Sequence, residues 1–88
     1  MRKYMSSLIS AFLSGEDYAY AATAHFNGDK FYSYNTVICL RKDGVYYLTL
    51  DKFSRTTTQQ QNALRDSIPS KDLRIVSAGE LQELSQTL

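Results

Sequence analysis

Residues 26–45 read FNGDKFYSYNTVICLRKDGV, and two glycine-containing dipeptides divide this segment into strand-like runs. Asn27-Gly28 lies between runs rich in aromatic and β-branched residues and suits a type I′ turn, because both central positions of that turn need positive φ. Asp43-Gly44 repeats the arrangement. The pattern predicts a three-stranded antiparallel meander formed by Tyr18–Phe26, Lys30–Arg41 and Val45–Leu50.

Helical signals flank this meander on both sides. Before it, apolar residues recur with helical spacing and Gly15 is placed to end the helix; they are Met5, Leu8, Ile9, Phe12 and Leu13. After it, the tract Thr56–Gln61 contains three overlapping Thr-x-x-Gln spacings, which are typical of a capped helix start. This second helix should end at Ile68 before Pro69, and it should leave Gln59 and Gln60 in water.

The last part of the chain adds one strand and one helix. Leu73–Val76 is typical of a short fourth strand, and Ser77 with Glu80 forms a capping box that opens a final helix. The predicted order is α-β-β-β-α-β-α, which corresponds to an α+β fold with helices packed on one face of the sheet. At 88 residues the chain should form a single domain, residues 1–88.

Composition excludes several broad classes. The chain is 43% hydrophobic and 22% charged, unlike a disordered segment. Ten Lys and Arg against nine Asp and Glu give a net charge of +1, which argues against an acidic nucleic-acid mimic and against a strongly basic binder. A single cysteine, Cys39, excludes an internal disulfide and fits a reducing compartment. Serines interrupt the apolar N-terminal run, so we expect a cytoplasmic protein without a signal peptide or membrane span.

If neither hairpin contains a bulge, the turns fix which side chains of the meander share a face, because side chains alternate along a strand. One face would be the apolar seat of the helices, with Tyr18, Tyr20, Ala22, Ala24, Phe31, Val37, Cys39, Tyr46, Leu48 and Leu50. The other would mix rings and hydroxyls, with Thr23, His25, Tyr32, Tyr34, Thr36, Ile38, Leu40, Tyr47 and Thr49.

The sequence contains no recognisable catalytic constellation. Cys39 and His25 should lie on opposite faces, and one histidine cannot hold zinc without further ligands. The carboxylate pairs Glu16-Asp17 and Glu80/Glu83 are typical of solvated or capping charges. There is no phosphate-binding glycine loop and no hydrolase or metalloprotease motif. We therefore expect a protein that is not an enzyme and uses no cofactor or metal.

Two interpretations of the Tyr-rich face stay open at this stage. Tyrosine and threonine are good strand formers that stabilise pairing without any ligand. Tyrosine is also enriched at protein interfaces, since it combines a rigid contact area with a polar tip. Residues 30–55 carry five positive and two negative charges, so a single-stranded nucleic acid is an alternative ligand, although such cations also keep turns soluble.

Two segments resemble a small uncharacterised family that is common in bacteriophages. The first is Tyr32-Ser33-Tyr34-Asn35-Thr36-Val37-Ile38, and the second is Phe53-Ser54-Arg55-Thr56-Thr57, in which Phe53 stands where the family more often has Tyr. The likeness covers residues 25–66 and implies a phage or prophage origin, but it implies no catalytic residue. The motif also has a structural interpretation, because the Ser54–Thr58 hydroxyls can bond Ser33 and Asn35 when the helix docks on the sheet.

These observations together predict a small non-enzymatic protein-binding module, an inhibitor of a host defence complex resembling anti-CRISPR proteins, which occludes a functional surface. Its partner would be a host protein or a protein–nucleic-acid complex. Single-stranded nucleic-acid binding is the alternative, and a homodimer through a strand edge or the tyrosine face is a third possibility. The candidate partner-binding residues are His25, Tyr32, Tyr34, Thr36, Arg41, Lys42, Tyr47 and Arg55.

Overall fold

The computed structural model describes residues 4–86 as an α+β fold; residues 1–3 and 87–88, which the single-domain prediction includes, lie outside the described residues. Within residues 4–86, three helices pack against a six-stranded mixed sheet. The helices are α1 (Met5–Leu13), α2 (Arg55–Ser67) and α3 (Ala78–Gln86). The strands are β1 (Tyr18–Tyr20), β2 (Ala24–Asn27), β3 (Lys30–Ser33), β4 (Thr36–Lys42), β5 (Val45–Thr49) and β6 (Leu73–Val76). A short 3-10 helix, Ser70–Asp72, precedes β6.

The strands lie in sequence order across the sheet, β1-β2-β3-β4-β5-β6. Neighbours from β1 to β5 are antiparallel, whereas β5 and β6 are parallel because α2 carries the chain back before β6. The strand at Leu73–Val76 is confirmed, but the predicted count of four strands is wrong. Each of the two long predicted strands is divided by a turn that contains no glycine or proline. The first turn is Ala21–Thr23, and the second is Tyr34–Asn35.

The two glycine-containing turns behave differently. Asp43 and Gly44 have φ of 54° and 80°, so the second turn has the positive φ at both central residues that the sequence predicts. At the first turn Asn27 pairs with Lys30, so Gly28 and Asp29 form the turn and only Gly28 has positive φ, at 62°. This turn therefore lies one residue later than predicted.

The larger part of the core lies between the sheet and helices α1 and α2. Phe12 of α1 is fully buried, and its ring centroid lies 5.5 Å from that of Phe26, 5.4 Å from Phe31 and 5.9 Å from Tyr46. Leu64 of α2 joins the same cluster. Each fully buried apolar side chain of this size stabilises the fold by roughly 1.5–3 kcal/mol. The predicted apolar stripe of α1 is confirmed.

Helix α3 packs on the opposite face, so the prediction that all helices share one face is wrong. Its Leu81 is fully buried against Val37 and Leu40. A β-bulge between Phe31 and Tyr32, where Phe31 pairs with Cys39 but Tyr32 pairs with Val37, places Val37 on the α3 side. Val37 and Ile38 therefore exchange the faces predicted for them. The run Val37–Leu40 is buried on both faces of the sheet, and α3 covers the second one.

Helix α2 is fixed to the sheet by buried polar contacts. The Ser54 hydroxyl caps the helix by accepting from the Thr57 amide at 3.2 Å, and the Thr57 and Ser33 hydroxyls share a hydrogen bond of 2.8 Å. Gln60 is only 3% exposed and donates to the Thr23 hydroxyl, so its predicted place in water is wrong. Gln61 donates to two sheet-side carbonyls. The Ser54–Gln61 segment thus joins helix to sheet. The Ser33–Thr57 bond agrees with the structural interpretation of Ser54–Thr58, whereas among the described residues Asn35 makes no such bond.

Candidate binding surface

Five aromatic side chains gather on the β1–β3 half of the sheet, on the face that carries α3 farther along. We call them the aromatic surface, and they are Tyr18, Tyr20, His25, Tyr32 and Tyr34. Tyr20 pairs with His25 across β1 and β2, and His25 pairs with Tyr32 across β2 and β3. Because directly opposed residues of antiparallel strands share a face, these three side chains form a row across the sheet.

The rings of this surface contact one another. The His25 and Tyr32 rings are stacked, with centroids 4.6 Å apart and planes inclined by 6°. The Tyr18 and Tyr20 rings lie 6.2 Å apart at 42°. Tyr18, Tyr20 and Tyr34 remain 55%, 40% and 53% exposed, whereas His25 and Tyr32 are half-buried. The surface therefore offers exposed aromatic rings together with hydroxyl and imidazole groups.

Helix α3 packs mainly over β4 and β5. Tyr47 of β5 packs against the cluster of Leu81, Val37 and Leu40, as Tyr32 of β3 does at its margin, and both tyrosines are half-buried. The predicted open Tyr and Thr face is thus covered in its β4–β5 half and open in its β1–β3 half. The open half is the candidate site.

A groove of about 430 Å³ runs beside the exposed tyrosines, where the β1–β2 and β3–β4 turns meet. The Tyr34 amide donates to the Thr23 carbonyl at 2.8 Å and holds these turns together. Tyr18, Tyr20 and Tyr34 line the groove together with His25. Among the described residues, those that line it include no Asp, Glu, Lys or Arg. The groove consequently suits an uncharged group that offers apolar contact and hydrogen-bonding partners.

Tyr34 is held in an unfavourable backbone conformation. Its φ is 55°, in the left-handed region, where an L-residue with a Cβ is destabilised by roughly 1–2 kcal/mol. Glycine or asparagine is the usual choice at such a turn position. Here the turn instead carries a ring that is 53% exposed and lines the groove. A strained residue with an exposed ring is a candidate for function.

The remaining predicted site residues do not join this surface. Arg41 makes an ion pair with Asp29 at 3.0 Å, donates to the Phe12 carbonyl and lies 4.9 Å from the Phe12 ring centroid. Arg41 is therefore a structural contact on the α1 face. The other three lie elsewhere: Thr36 pairs with Ser33, Lys42 ends β4 beside the Asp43 turn, and Arg55 begins α2.

Sequence reasoning assigned Tyr18 and Tyr20 to the core face, and that assignment is wrong. Ala19, between them, is the buried residue of β1 at 1% exposure. The turn at Ala21–Thr23 shifts the alternation, so Ala24 and Phe26 face the core on the next strand. The residues Ala21-Ala22-Thr23 have no strong turn preference, so this turn could not be predicted from them. The alternation of tyrosine and alanine in β1 was the only sequence signal for which of its side chains are buried.

Cys39 is chemically shielded. Its side chain is fully buried in the α1-side core, and burial raises the pKa of its thiol from 9.0 to about 12. His25 lies on the other face of the sheet, stacked on Tyr32, so the two groups are separated as the sequence predicts. The Cys39 thiol is thus uncharged at neutral pH and is a hydrophobic core residue.

Across residues 4–86, no helix combines the length and the apolar character required to cross a membrane. The described residues also include no group of three or more His, Cys, Asp and Glu side chains arranged to hold a metal ion.

Comparison with known proteins gives one match. No curated protein and no solved structure resembles the chain at a significant level. A family of unknown function (DUF8033) matches residues 8–76, which run from α1 to the end of β6 and include the whole aromatic surface. The chain therefore belongs to this family of unknown function, DUF8033.

Proposed function

We propose that the chain is a non-enzymatic protein-binding module whose contact site is the aromatic surface. The observation that carries the proposal is Tyr34, whose ring is exposed at the groove although its backbone φ is 55°. Selection for stability alone would favour glycine or asparagine at this turn position. Exposed tyrosines beside a neutral groove are the kind of side chains that carry much of the energy at protein interfaces.

The charge distribution supports a protein partner over a nucleic acid. A single-stranded nucleic-acid site combines stacking rings with cations that follow the phosphates. Arg41 points to Asp29 and Phe12 on the α1 side, and Arg55 begins α2, which packs on that same side. Of the three cations among the candidate partner-binding residues, Arg41, Lys42 and Arg55, two thus lie away from the aromatic surface.

The narrower proposal is that this module is phage-encoded and inhibits a host defence complex by occluding one of its functional surfaces, as anti-CRISPR proteins do. Its support is the resemblance of residues 25–66 to phage proteins, together with a small chain that carries one open contact surface. A rigid sheet with pre-positioned rings loses little conformational entropy on binding, which suits a competitive inhibitor.

Affinity capture tests the protein-binding proposal. The wild-type chain, the double variant Tyr18→Ser/Tyr20→Ser and the control variant Ile75→Ser are immobilised and incubated with bacterial lysate. Ile75 is 52% exposed on β6 at the opposite edge of the sheet, so it matches the tyrosines in exposure. Quantitative mass spectrometry should recover a stoichiometric protein with the wild type and with Ile75→Ser but not with the double variant. Recovery of nucleic acid alone would refute the proposal.

An interference assay tests the inhibitor proposal separately. The same three variants are expressed in bacteria whose CRISPR system restricts a plasmid or a phage. The wild type and Ile75→Ser should relieve restriction, and Tyr18→Ser/Tyr20→Ser should not. Full restriction in the presence of the folded wild-type chain, across the CRISPR types tested, would contradict this narrower proposal and leave the protein-binding proposal to the capture experiment.

A further inference from the structure

Strand β1 forms one edge of the sheet, and its hydrogen-bonding pattern shows which backbone groups face outward. The Gly28 amide donates to the Asp17 carbonyl, and the Ala21 amide donates to the Ala24 carbonyl, both at 2.7 Å. Inward-facing residues alternate in an antiparallel ladder, so Ala19 also bonds toward β2. The N–H and C=O groups of Tyr18 and Tyr20 therefore point away from the sheet.

Within residues 4–86, no further strand lies beyond β1. The other edge strand, β6, differs from β1 because one of its own side chains bonds backbone carbonyls. The Arg74 guanidinium donates to the Leu73 and Lys71 carbonyls of the same segment. A charged side chain that covers its own edge is a common way to prevent strand addition. Tyr18 and Tyr20 are not charged, and among the described residues no side chain forms a hydrogen bond with their backbone groups.

The groove of the aromatic surface begins at this same edge. Tyr18 and Tyr20 contribute both the outward backbone groups and part of the lining of the groove, and Tyr34 lines it farther in. A strand added to an edge places alternate side chains on one face of the sheet. A segment paired with β1 would thus direct every second side chain toward the groove.

We propose that the partner binds by adding an extended segment to the β1 edge, with uncharged side chains of that segment entering the groove. The inference rests on the proposed function and names how the partner is recognised. Backbone bonds to Tyr18 and Tyr20 supply affinity, and the groove supplies specificity, which is the general logic of strand addition. The neutral lining of the groove selects against Lys, Arg, Asp and Glu at the inserted positions.

A second copy of the chain fits this edge less well. Two copies could pair only through their three-residue β1 strands, and each copy would offer only tyrosines that already line its own groove. Such a contact is short for a stable interface, which typically buries more than about 1,000 Å². A longer heterologous segment can bond the edge and fill the groove at once.

The test uses a displayed library of random 12-residue peptides, selected on the immobilised full chain. A selected peptide is synthesised and titrated into the isotope-labelled chain, and amide hydrogen exchange is measured residue by residue. The Tyr18 and Tyr20 amides should exchange rapidly in the free chain and slow by about tenfold or more when peptide is bound. The Ala19 amide, already bonded to β2, is the internal control and should change little.

A matched pair of variants isolates the backbone contribution. Tyr20→Ala and Tyr20→Pro both remove the ring, but only proline removes the outward N–H, and proline is tolerated at an edge strand on its solvent side. Peptide affinity should be about 3- to 10-fold lower for Tyr20→Pro than for Tyr20→Ala, as expected for one net backbone hydrogen bond. If the proline variant does not fold, the hydrogen-exchange measurement on the wild-type chain still tests whether the peptide pairs with the β1 edge.

Three results would overturn this inference. One is a selected peptide that needs the Tyr20 and Tyr34 rings yet leaves the Tyr18 and Tyr20 amides unprotected, which would leave the proposed function standing. Another is concentration-dependent protection of these amides without peptide, which would indicate pairing of two copies. The third is failure of the library to yield any peptide whose binding depends on the aromatic surface, which would count against this inference; the lysate capture still decides the proposed function.

Discussion

Replacement of Gln61 by methionine should destabilise the fold without touching the aromatic surface. Gln61 is 2% exposed, and its amide donates at 2.9 Å to the carbonyls of Thr49 and Asp51. Thr49 is fully buried, so its carbonyl would lose a partner that water cannot easily replace, at a cost of about 1–3 kcal/mol. Asp51 is exposed, and its lost bond should cost only about 0.5–1.5 kcal/mol.

The expected loss for Gln61→Met is therefore about 1.5–4.5 kcal/mol, a large part of the roughly 5–15 kcal/mol that stabilises a typical domain. Urea denaturation followed by circular dichroism measures it, and Gln59→Met is the control because Gln59 is exposed on the same helix. The control should change the free energy of unfolding by less than about 0.5 kcal/mol. Equal midpoints for Gln61→Met and Gln59→Met would refute the structural role assigned to the Ser54–Gln61 segment.

Three further predictions concern the turn, the core thiol and α3. Tyr34→Gly should be more stable than Tyr34→Ala by about 0.5–1 kcal/mol, because both lack the ring and only glycine tolerates the left-handed φ without strain; a more stable alanine variant in thermal unfolding would contradict this. The pKa of Cys39 is about 12 when folded against an ordinary 9.0, so the thiol ionises first in the unfolded chain and stability falls as pH rises above 9. From pH 8 to pH 10 the wild type should lose about 1.4 kcal/mol more than Cys39→Ala, and parallel pH curves from urea titrations would be inconsistent with a buried thiol. Leu81→Ala should cost about 2–5 kcal/mol by leaving a cavity against Val37 and Leu40, and calorimetry that finds it neutral would show that α3 is not docked on the second face.

The local elements of this fold could be predicted where a residue type has a strong local preference. Asp43-Gly44 forms its turn with both φ values positive, and Ser77 caps α3, its hydroxyl accepting from the Glu80 amide at 3.1 Å. Leu73–Val76 is a strand as expected. Each of these features depends on the preferences of a few neighbouring residues, so it can be predicted from the sequence alone.

The errors arose where the chain reverses without a glycine or proline. Ala21–Thr23 contains no residue with a strong turn preference, and at Tyr34–Asn35 the positive φ falls on Tyr34 and not on the turn-favouring Asn35. The bond from the Tyr34 amide to the Thr23 carbonyl joins the two turns. The sequence likewise contains no signal that predicts the bulge between Phe31 and Tyr32. Each changes the side-chain alternation, and a change of one residue moves all later side chains to the other face.

One missed signal was available in the composition of β4. Val37–Leu40 is an unbroken apolar run, which is typical of a strand buried on both faces. That pattern indicates a second layer over the sheet, and α3 is that layer. Of the predicted site residues, His25, Tyr32 and Tyr34 lie on the aromatic surface, and Tyr47 packs against the α3 cluster, which Tyr32 also contacts.

Tyrosine nitration with tetranitromethane, read by mass spectrometry in the free chain and in the complex with its captured partner, is the most direct measurement of whether the aromatic surface is the contact site. In the free chain Tyr18, Tyr20 and Tyr34 should react readily, and Tyr46, half-buried against the core, should react more slowly. In the complex those three should become protected while Tyr4, 86% exposed and remote from the groove, stays reactive. Unreactive rings in the free chain, or rings that react equally in the complex, would contradict the account.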